Sequence, residues 1–204
     1  MAYRKTERVR EQLADKRSRI LGAARQLISE GGFNDAPMTA IAGLAGVATG
    51  TVYRYFPSKT DLLAEVVRLA SQRELEVVAG IVMTEGSAAQ RLSEAIAAFA
   101  GRALRGRRLA YALVAEPVAP EIDATRLKYR RALGRVFEAI IDQGIRAGEF
   151  PAQPVPAAAA CLVGACIEGL VGPLSPEAMK VEDDGAALVA AIQRFCLRAV
   201  TAHD

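Results

Sequence analysis

Residues 46–62 read GVATGTVYRYFPSKTDL, and this stretch decides the fold. Gly46 supplies a turn that a residue with a side chain resists. From Thr49 the residues suit a short helix, which ends at Phe56 because Pro57 disfavours helical geometry in the residue before it. Ser58-Lys59-Thr60-Asp61 has the spacing of a capping box and starts a long helix through Leu62, Val66 and Leu69. Val52 and Phe56 stand four apart and are expected to anchor the short helix to a core. Thr49 and Tyr53, Gly50 and Arg54, and Thr51 and Tyr55 form further i, i+4 pairs that can project hydroxyls and a guanidinium outward.

Upstream, RSRILGAARQLISEGG (17–32) reads as a helix with Ile20, Leu21, Ala24, Leu27 and Ile28 at helical spacing, ended by Gly31-Gly32. Its pattern extends back through Val9 and Leu13, although the first dozen residues equally suit a loose arm. A short helix over Thr39–Ala45 follows, with Ile41, Leu44 and Ala45 on its inner side. Two short helices joined by a glycine turn are a helix-turn-helix, here over about 37–56, whose second helix enters the DNA major groove. Gly50 there lets the backbone approach a partner closely. Lys59 opens the next helix, where free amides and the positive dipole end favour a phosphate.

Downstream the chain reads helix after helix: Ala88–Arg105, Leu109–Ala115, Ile122–Ala147, Ala157–Val171 and Asp184–Ala202. Alanine and leucine dominate, and β-branched runs bounded by turn signals are scarce. The fold class is therefore all-α. The expected organisation is a basic arm over 1–16, a three-helix DNA-binding domain over 17–62, and a helical ligand-binding and dimerisation domain over 63–204. The border near residue 62 runs through a continuous helix.

Charge follows the same division. The first 60 residues carry ten Lys/Arg against five Asp/Glu, whereas the rest carry sixteen against eighteen. A basic front on a slightly acidic body calls for an anionic partner at the front, with double-stranded DNA ahead of an anionic membrane surface. MAYRKTERVREQLADKRSRI (1–20) has no apolar core between its charges, so no secretion signal is read and a cytoplasmic location is expected. The most apolar run, Val155–Ile167, is short for a membrane span, and Glu168 follows it.

Cys161, Cys166 and Cys196 sit in apolar helical surroundings and are expected to be buried, reduced thiols. The single histidine, His203, lies one residue from the C-terminus. No metal site, cofactor or catalytic constellation is legible: there is no nucleophile motif, no paired carboxylates on a helix face and no phosphate loop. The expected protein is not an enzyme. A nucleoid-type DNA binder without operator preference stays open as an alternative, and an enzyme on a helical scaffold less so.

RILGAARQLISEGGFNDAPMTAIAGLAGVATGTVYRYFPSKTDLL (19–63) resembles the N-terminal domain of the tetracycline-repressor (TetR) family of bacterial regulators, with IAGLAGVATGTVYRYFPSK its most specific part. The resemblance implies a homodimeric repressor that binds a palindromic operator and lets go when a small-molecule effector enters its C-terminal domain. It places Thr39 where the first motif helix reaches DNA, and Thr49, Gly50 and Thr51 on the base-facing start of the recognition helix. Tyr53 and Tyr55 match phosphate-contacting aromatics and Lys59 a backbone-contacting lysine; Arg54 occupies a more variable position. Pro37, Met38 and Ala48 depart from the family's Ser/Thr caps. Arg4, Lys5, Arg8 and Arg10 either compensate by reaching a minor groove or phosphates, or form a solvated tail.

In the C-terminal part, VPAAAACLVGACIEGLVG (155–172) is apolar nearly all round and must be covered on several sides. Small residues at Ala157, Ala160, Gly164 and Ala165 permit close helix approach. With Leu188, Ile192 and Phe195 of the last helix they resemble the family's dimer interface; a monomer core is the alternative. Glu168 is either a ligand-facing acid that recognises a cation or an arginine partner. Tyr111 either gives a hydroxyl to a ligand or fills core. Arg102, Arg105, Arg107 and Arg108 read as a solvated helix end, with anion binding as the other option. The ligand pocket is expected to be mainly apolar.

Overall fold

The computed structural model describes residues 2–178 and 185–202, with side chains from residue 7 onward. Among these residues there are nine helices and no strand. A head is built from α1 (Ala2–Gly31), α2 (Met38–Ala45), α3 (Thr49–Tyr55) and the start of α4 (Lys59–Val82). A body follows from the rest of α4 with α5 (Ala88–Arg105), α6 (Arg107–Val114), α7 (Pro120–Arg146), α8 (Val155–Leu174) and α9 (Gly185–Thr201). Asp184, expected to start the last helix, and His203 lie outside the described residues, as do the side chains of Arg4 and Lys5. The basic stretch forms the first turns of α1, on which Arg8 and Arg10 are exposed.

Helix ends follow from local chemistry. The chain leaves α1 through Gly32 at φ +84°, where a Cβ would strike the Arg108 guanidinium and the Glu116 carboxylate. Gly46 caps α2 in the left-handed region at φ +64°, which glycine enters without steric cost. Arg19 on α1 reinforces that turn, donating through Nη2 to the Ala45 carbonyl at 2.5 Å and the Gly46 carbonyl at 3.3 Å. The Ser58 capping box is formed: the Asp61 amide donates to Ser58 Oγ at 3.0 Å and the Ser58 amide to Asp61 Oδ2 at 3.1 Å. Pro37 and Ala48, which lack a capping oxygen, give α2 and α3 no side-chain cap.

Two cores result. In the head, Ile20, Ile28, Ile41, Val52 and Leu62 have no solvent exposure, and Ala112 and Ile122 reach into the same cluster from the body. Leu44, expected inside, is exposed instead. The buried stripe of α2 runs through Met38, Ile41, Ala42 and Ala45, which leaves Leu44 on the opposite flank, two positions from Ala42. The body core is centred on Leu92, Ile96, Leu133, Phe137, Ile140 and Leu162. Here α7 lies between α4 and α8, while α9 packs on α5 and α8.

A polar clasp joins head to body. Phe33 N–H donates to Glu116 Oε1 at 3.0 Å, and Arg108 approaches that same oxygen at 3.8 Å while donating to the Gly31 carbonyl. Arg126, buried, donates to the Ala112 and Glu116 carbonyls, and its guanidinium lies 5.9 Å from the Phe33 ring centroid. The arginine run after residue 101 is therefore only in part a solvated helix end. Arg108 belongs to this clasp and Arg102 to an ion pair with Glu74; Arg105 is exposed. Partners distant in sequence made the difference.

Helix α8 is longer than its apolar run suggests, because Glu168 does not end it. Its 20 residues are long and apolar enough to cross a membrane by length and composition. In the fold, Leu162, Cys166 and Leu170 face the body core. Cys161 is exposed rather than buried, since five residues along a helix turn it about 140° away from Cys166. Cys166 and Cys196 are buried as expected, with sulfurs 4.0 Å apart. The hydrogen bond with Cys196, and then burial, push the Cys166 thiol far above its usual range.

Candidate nucleic-acid interface and ligand cavity

The candidate interface is organised by which face of α3 is anchored. Val52 has no exposure and Phe56 4%; the Arg17 guanidinium lies 5.2 Å from the Phe56 ring centroid. Arg17 also donates to Glu65 at 2.7 Å, and Arg68 donates to the same carboxylate. The two guanidiniums, Arg68 first, hold Glu65 down at about 2 against the burial that opposes them. Helices α1 and α4 thus clamp the base of α3.

With that face fixed, Gly50, Tyr53 and Arg54 turn outward, as does Thr39 on α2. Tyr53 is 49% exposed. Thr49, Thr51 and Lys59 are half-buried at the rim. A Cβ built on Gly50 meets no atom of the chain within 4 Å. The fold therefore does not require glycine at this position.

Tyr55 behaves differently from the other aromatic of the pair. It stands three residues after Val52, so it shares the inward face. It packs on the head core, with its hydroxyl closed off from solvent and unpartnered among the described residues.

The body contains a cavity of ≈340 Å³ between α1, α4, α5, α6 and α7. Phe99, Leu109, Leu113 and Val114 line it, together with Tyr129, Glu74 and Arg102. Its lining is mainly apolar, and Tyr111 and Glu168 are not among the lining residues. Tyr111 is partly buried against the body core. Glu168 is exposed beside Arg131 and Arg135 in a groove of ≈550 Å³ between α7 and α8. Sequence reasoning missed Tyr129 and Glu74 as cavity residues and gave Arg102 anion binding only as its second option: nothing local marks side chains that converge from three helices.

The expected dimer residues divide. Ala157, Ala160, Gly164 and Phe195, the last 64% exposed, lie on open faces of α8 and α9. Ile192 is buried, and Ala165 and Leu188 are partly buried against the body core. Ile192 packs across onto α8, its Cδ1 3.4 Å from where a Cβ on Gly169 would stand.

The arrangement is a helix-turn-helix head on a helical body with an internal cavity. The model for bacterial regulatory proteins of the tetR family matches residues 20–66, and that for the tetracyclin repressor-like C-terminal domain matches residues 85–169. The chain belongs to the TetR family of transcriptional regulators.

The repressor KstR of Mycobacterium tuberculosis is 42% identical over 71 residues, 32% of this chain and 32% of that protein. The chain spans about a third of the length of the curated relatives it matches first. Over almost its whole length it is similar in fold to the Bacillus subtilis regulator FadR, solved with stearoyl-CoA. That match has a TM-score of 0.76 at 21% identity and covers 90% of this chain and 98% of FadR. A TetR/AcrR-family regulator from Thermobifida fusca gives 0.72 at 26% identity, covering 90% and 97%.

Proposed function

We propose that the protein is a homodimeric transcriptional repressor that binds a palindromic DNA operator through α3 of each protomer and releases it when a small, largely apolar ligand enters the body cavity. The observation that carries this reading is the split of α3 into an anchored face, Val52 and Phe56, and an outward face of Gly50, Tyr53 and Arg54. Hydroxyls and a guanidinium suit phosphates and base edges, and the bare backbone at Gly50 permits close approach. Thr39, Thr49, Thr51 and Lys59 complete the contact surface at its rim. Tyr55 joins only if its hydroxyl is uncovered on DNA.

The open faces of α8 and α9 support dimerisation. A helix otherwise apolar enough for a membrane needs its small-residue face covered, and a second copy places two α3 helices one duplex turn apart, roughly 34–36 Å. Glu168, exposed in the groove with Arg131 and Arg135, then has arginines to pair with across a two-fold axis. Coupling to DNA runs through α6. One side of it lines the cavity with Leu109 and Leu113, and the other carries Arg108 into the clasp at Gly31 and Glu116. A ligand shifts the equilibrium only by favouring the state that does not fit DNA. FadR's stearoyl-CoA makes acyl compounds a sensible first class to screen.

Gel-shift titration of DNA upstream of the protein's own and neighbouring genes, against random duplex at matched salt, tests the reading. A specific repressor prefers its operator by about 10³ or more. Equal affinity for both DNAs defeats it and marks a coating protein instead. Tyr53→Ala is expected to weaken operator and random DNA alike, and Thr49→Ala to relax sequence preference.

A further inference from the structure

The body cavity carries more positive charge at its edge than an apolar site needs. Arg25 from α1 and Arg102 and Arg105 from α5 stand around it, with Glu74 from α4. An adjoining groove of ≈410 Å³ shares Arg25, Glu74 and Arg102 and adds Arg73. Among these lining residues one carboxylate faces four guanidiniums, and that carboxylate is already engaged. Arg102 donates through Nε to Glu74 Oε2 at 2.6 Å and through Nη2 to Oε1 at 2.8 Å. Arg25, Arg73 and Arg105 have no side-chain partner among the described residues. An organic cation entering here meets no free anion, whereas an organic anion meets several free guanidiniums.

A second group in the same wall is unsatisfied. Tyr129 lines the cavity, and its hydroxyl is closed off from solvent without a hydrogen-bond partner among the described residues. Burial first, and then the charge of Glu74, keep that phenol protonated well above its ordinary range. It is therefore a standing donor with a carboxylate near enough to feel.

We propose that the cavity receives an amphipathic organic anion, an apolar body bearing a carboxylate or phosphate, and that the anion takes Arg102 from Glu74, which then accepts the Tyr129 hydroxyl. After the exchange Arg102, Glu74 and Tyr129 each have a partner, and no covalent step is involved. Glu74 sits on α4, the helix that begins in the head, and Arg102 on α5. The exchange therefore undoes a tie between those two helices when ligand binds. This inference rests on the ligand-responsive regulator proposed above and names the ligand's chemistry and the residues that read it.

The test is calorimetric titration of the full chain, without DNA, by four eight-carbon probes: octanoate, octyl phosphate, octanol and octyltrimethylammonium. At least one of the two anions should bind about tenfold or more tighter than octanol and the cation, as an ionised hydrogen bond implies. The tighter anion identifies the headgroup. Arg102→Gln should erase the preference, Glu74→Gln should strengthen anion binding by removing the competitor, and Tyr129→Phe should weaken it while leaving octanol unchanged. Arg25→Gln and Arg105→Gln, which break no ion pair, should each lower the anion preference and serve if Arg102→Gln does not fold.

Equal binding of cation and anions, retention of the preference in Arg102→Gln, or no binding of any probe at millimolar concentration overturns the proposal. An operator gel-shift with the tighter anion separates the two readings. Anion binding with no operator to release sinks the regulator and leaves the cavity assignment standing; operator binding with no anion preference does the reverse.

Discussion

The head and the body of this molecule solve opposite problems with the same element. In the head, a two-turn helix is held by one face so that its other face stays open. In the body, long helices close round a cavity and turn their chemistry inward. The head's outward residues, Gly50, Tyr53 and Arg54, lie within five positions of one another. The body's inward ones, Glu74, Arg102 and Tyr129, are separated by 28 and 27 positions and come from α4, α5 and α7. A convex recognition surface can be written in one short segment; a concave one needs several.

Changes that respect or violate this division should separate cleanly. Phe137→Ala removes the largest fully buried side chain, in the body core. It is expected to cost about 3–5 kcal/mol, read by urea denaturation, while the folded fraction still binds operator. Equal loss of DNA affinity per folded molecule would show that head and body are one unit. Glu116→Ala strips the clasp of its buried carboxylate and leaves Phe33 N–H and Arg108 without it. A loss of about 3 kcal/mol is expected, with the head melting below the body in calorimetry.

Gly50→Ala sharpens the contrast from the other side. Alanine gains up to about 1 kcal/mol in a helix, and its Cβ meets nothing in the chain, so the melting temperature should hold or rise. Operator affinity should fall. Unchanged affinity would mean that the backbone at residue 50 does not approach DNA. Ser58→Ala removes the cap of α4, the helix common to both regions, and should cost about 1 kcal/mol.

The smallest effect belongs to the surface clamp at the base of α3. Glu65 is held at about 2, below its unfolded value near 4.5. A depressed carboxylate stabilises the fold above its unfolded pKa and loses that contribution as pH falls through its folded pKa. The melting difference between the native chain and Glu65→Gln should therefore be full above pH 4.5 and shrink towards pH 2. Because both arginines are about half exposed, it should not exceed about 1 kcal/mol. A difference that grows on acidification would refute the clamp.

Much of the head was legible because its determinants are local. Gly46, Pro57 and the Ser58–Asp61 box set helix ends within a residue of where they fall, and the Val52–Phe56 spacing marked the anchored face. Where local reading failed, neighbouring helices decided: Leu44 looked inward by spacing, yet the stripe through Ala42 and Ala45 took the contact. In the body, helix order was readable but not partnership. Tyr111 and Glu168 were singled out for being conspicuous in their own segments, and neither lines the cavity. Arg102 and Arg108 looked solvated because Glu74, Gly31 and Glu116 are far away in the chain.

The sequence by itself determined an all-helical chain, the place of the helix-turn-helix and which face of α3 is held, since periodicity, capping and turn residues act over four or five positions. Only the tertiary structure decided that Arg102 answers Glu74, that Arg108 and Arg126 tie head to body, and that Tyr129 closes the cavity wall. Those are encounters between side chains brought together by packing, and burial, charge and hydrogen bonding act through space, whatever the separation along the chain.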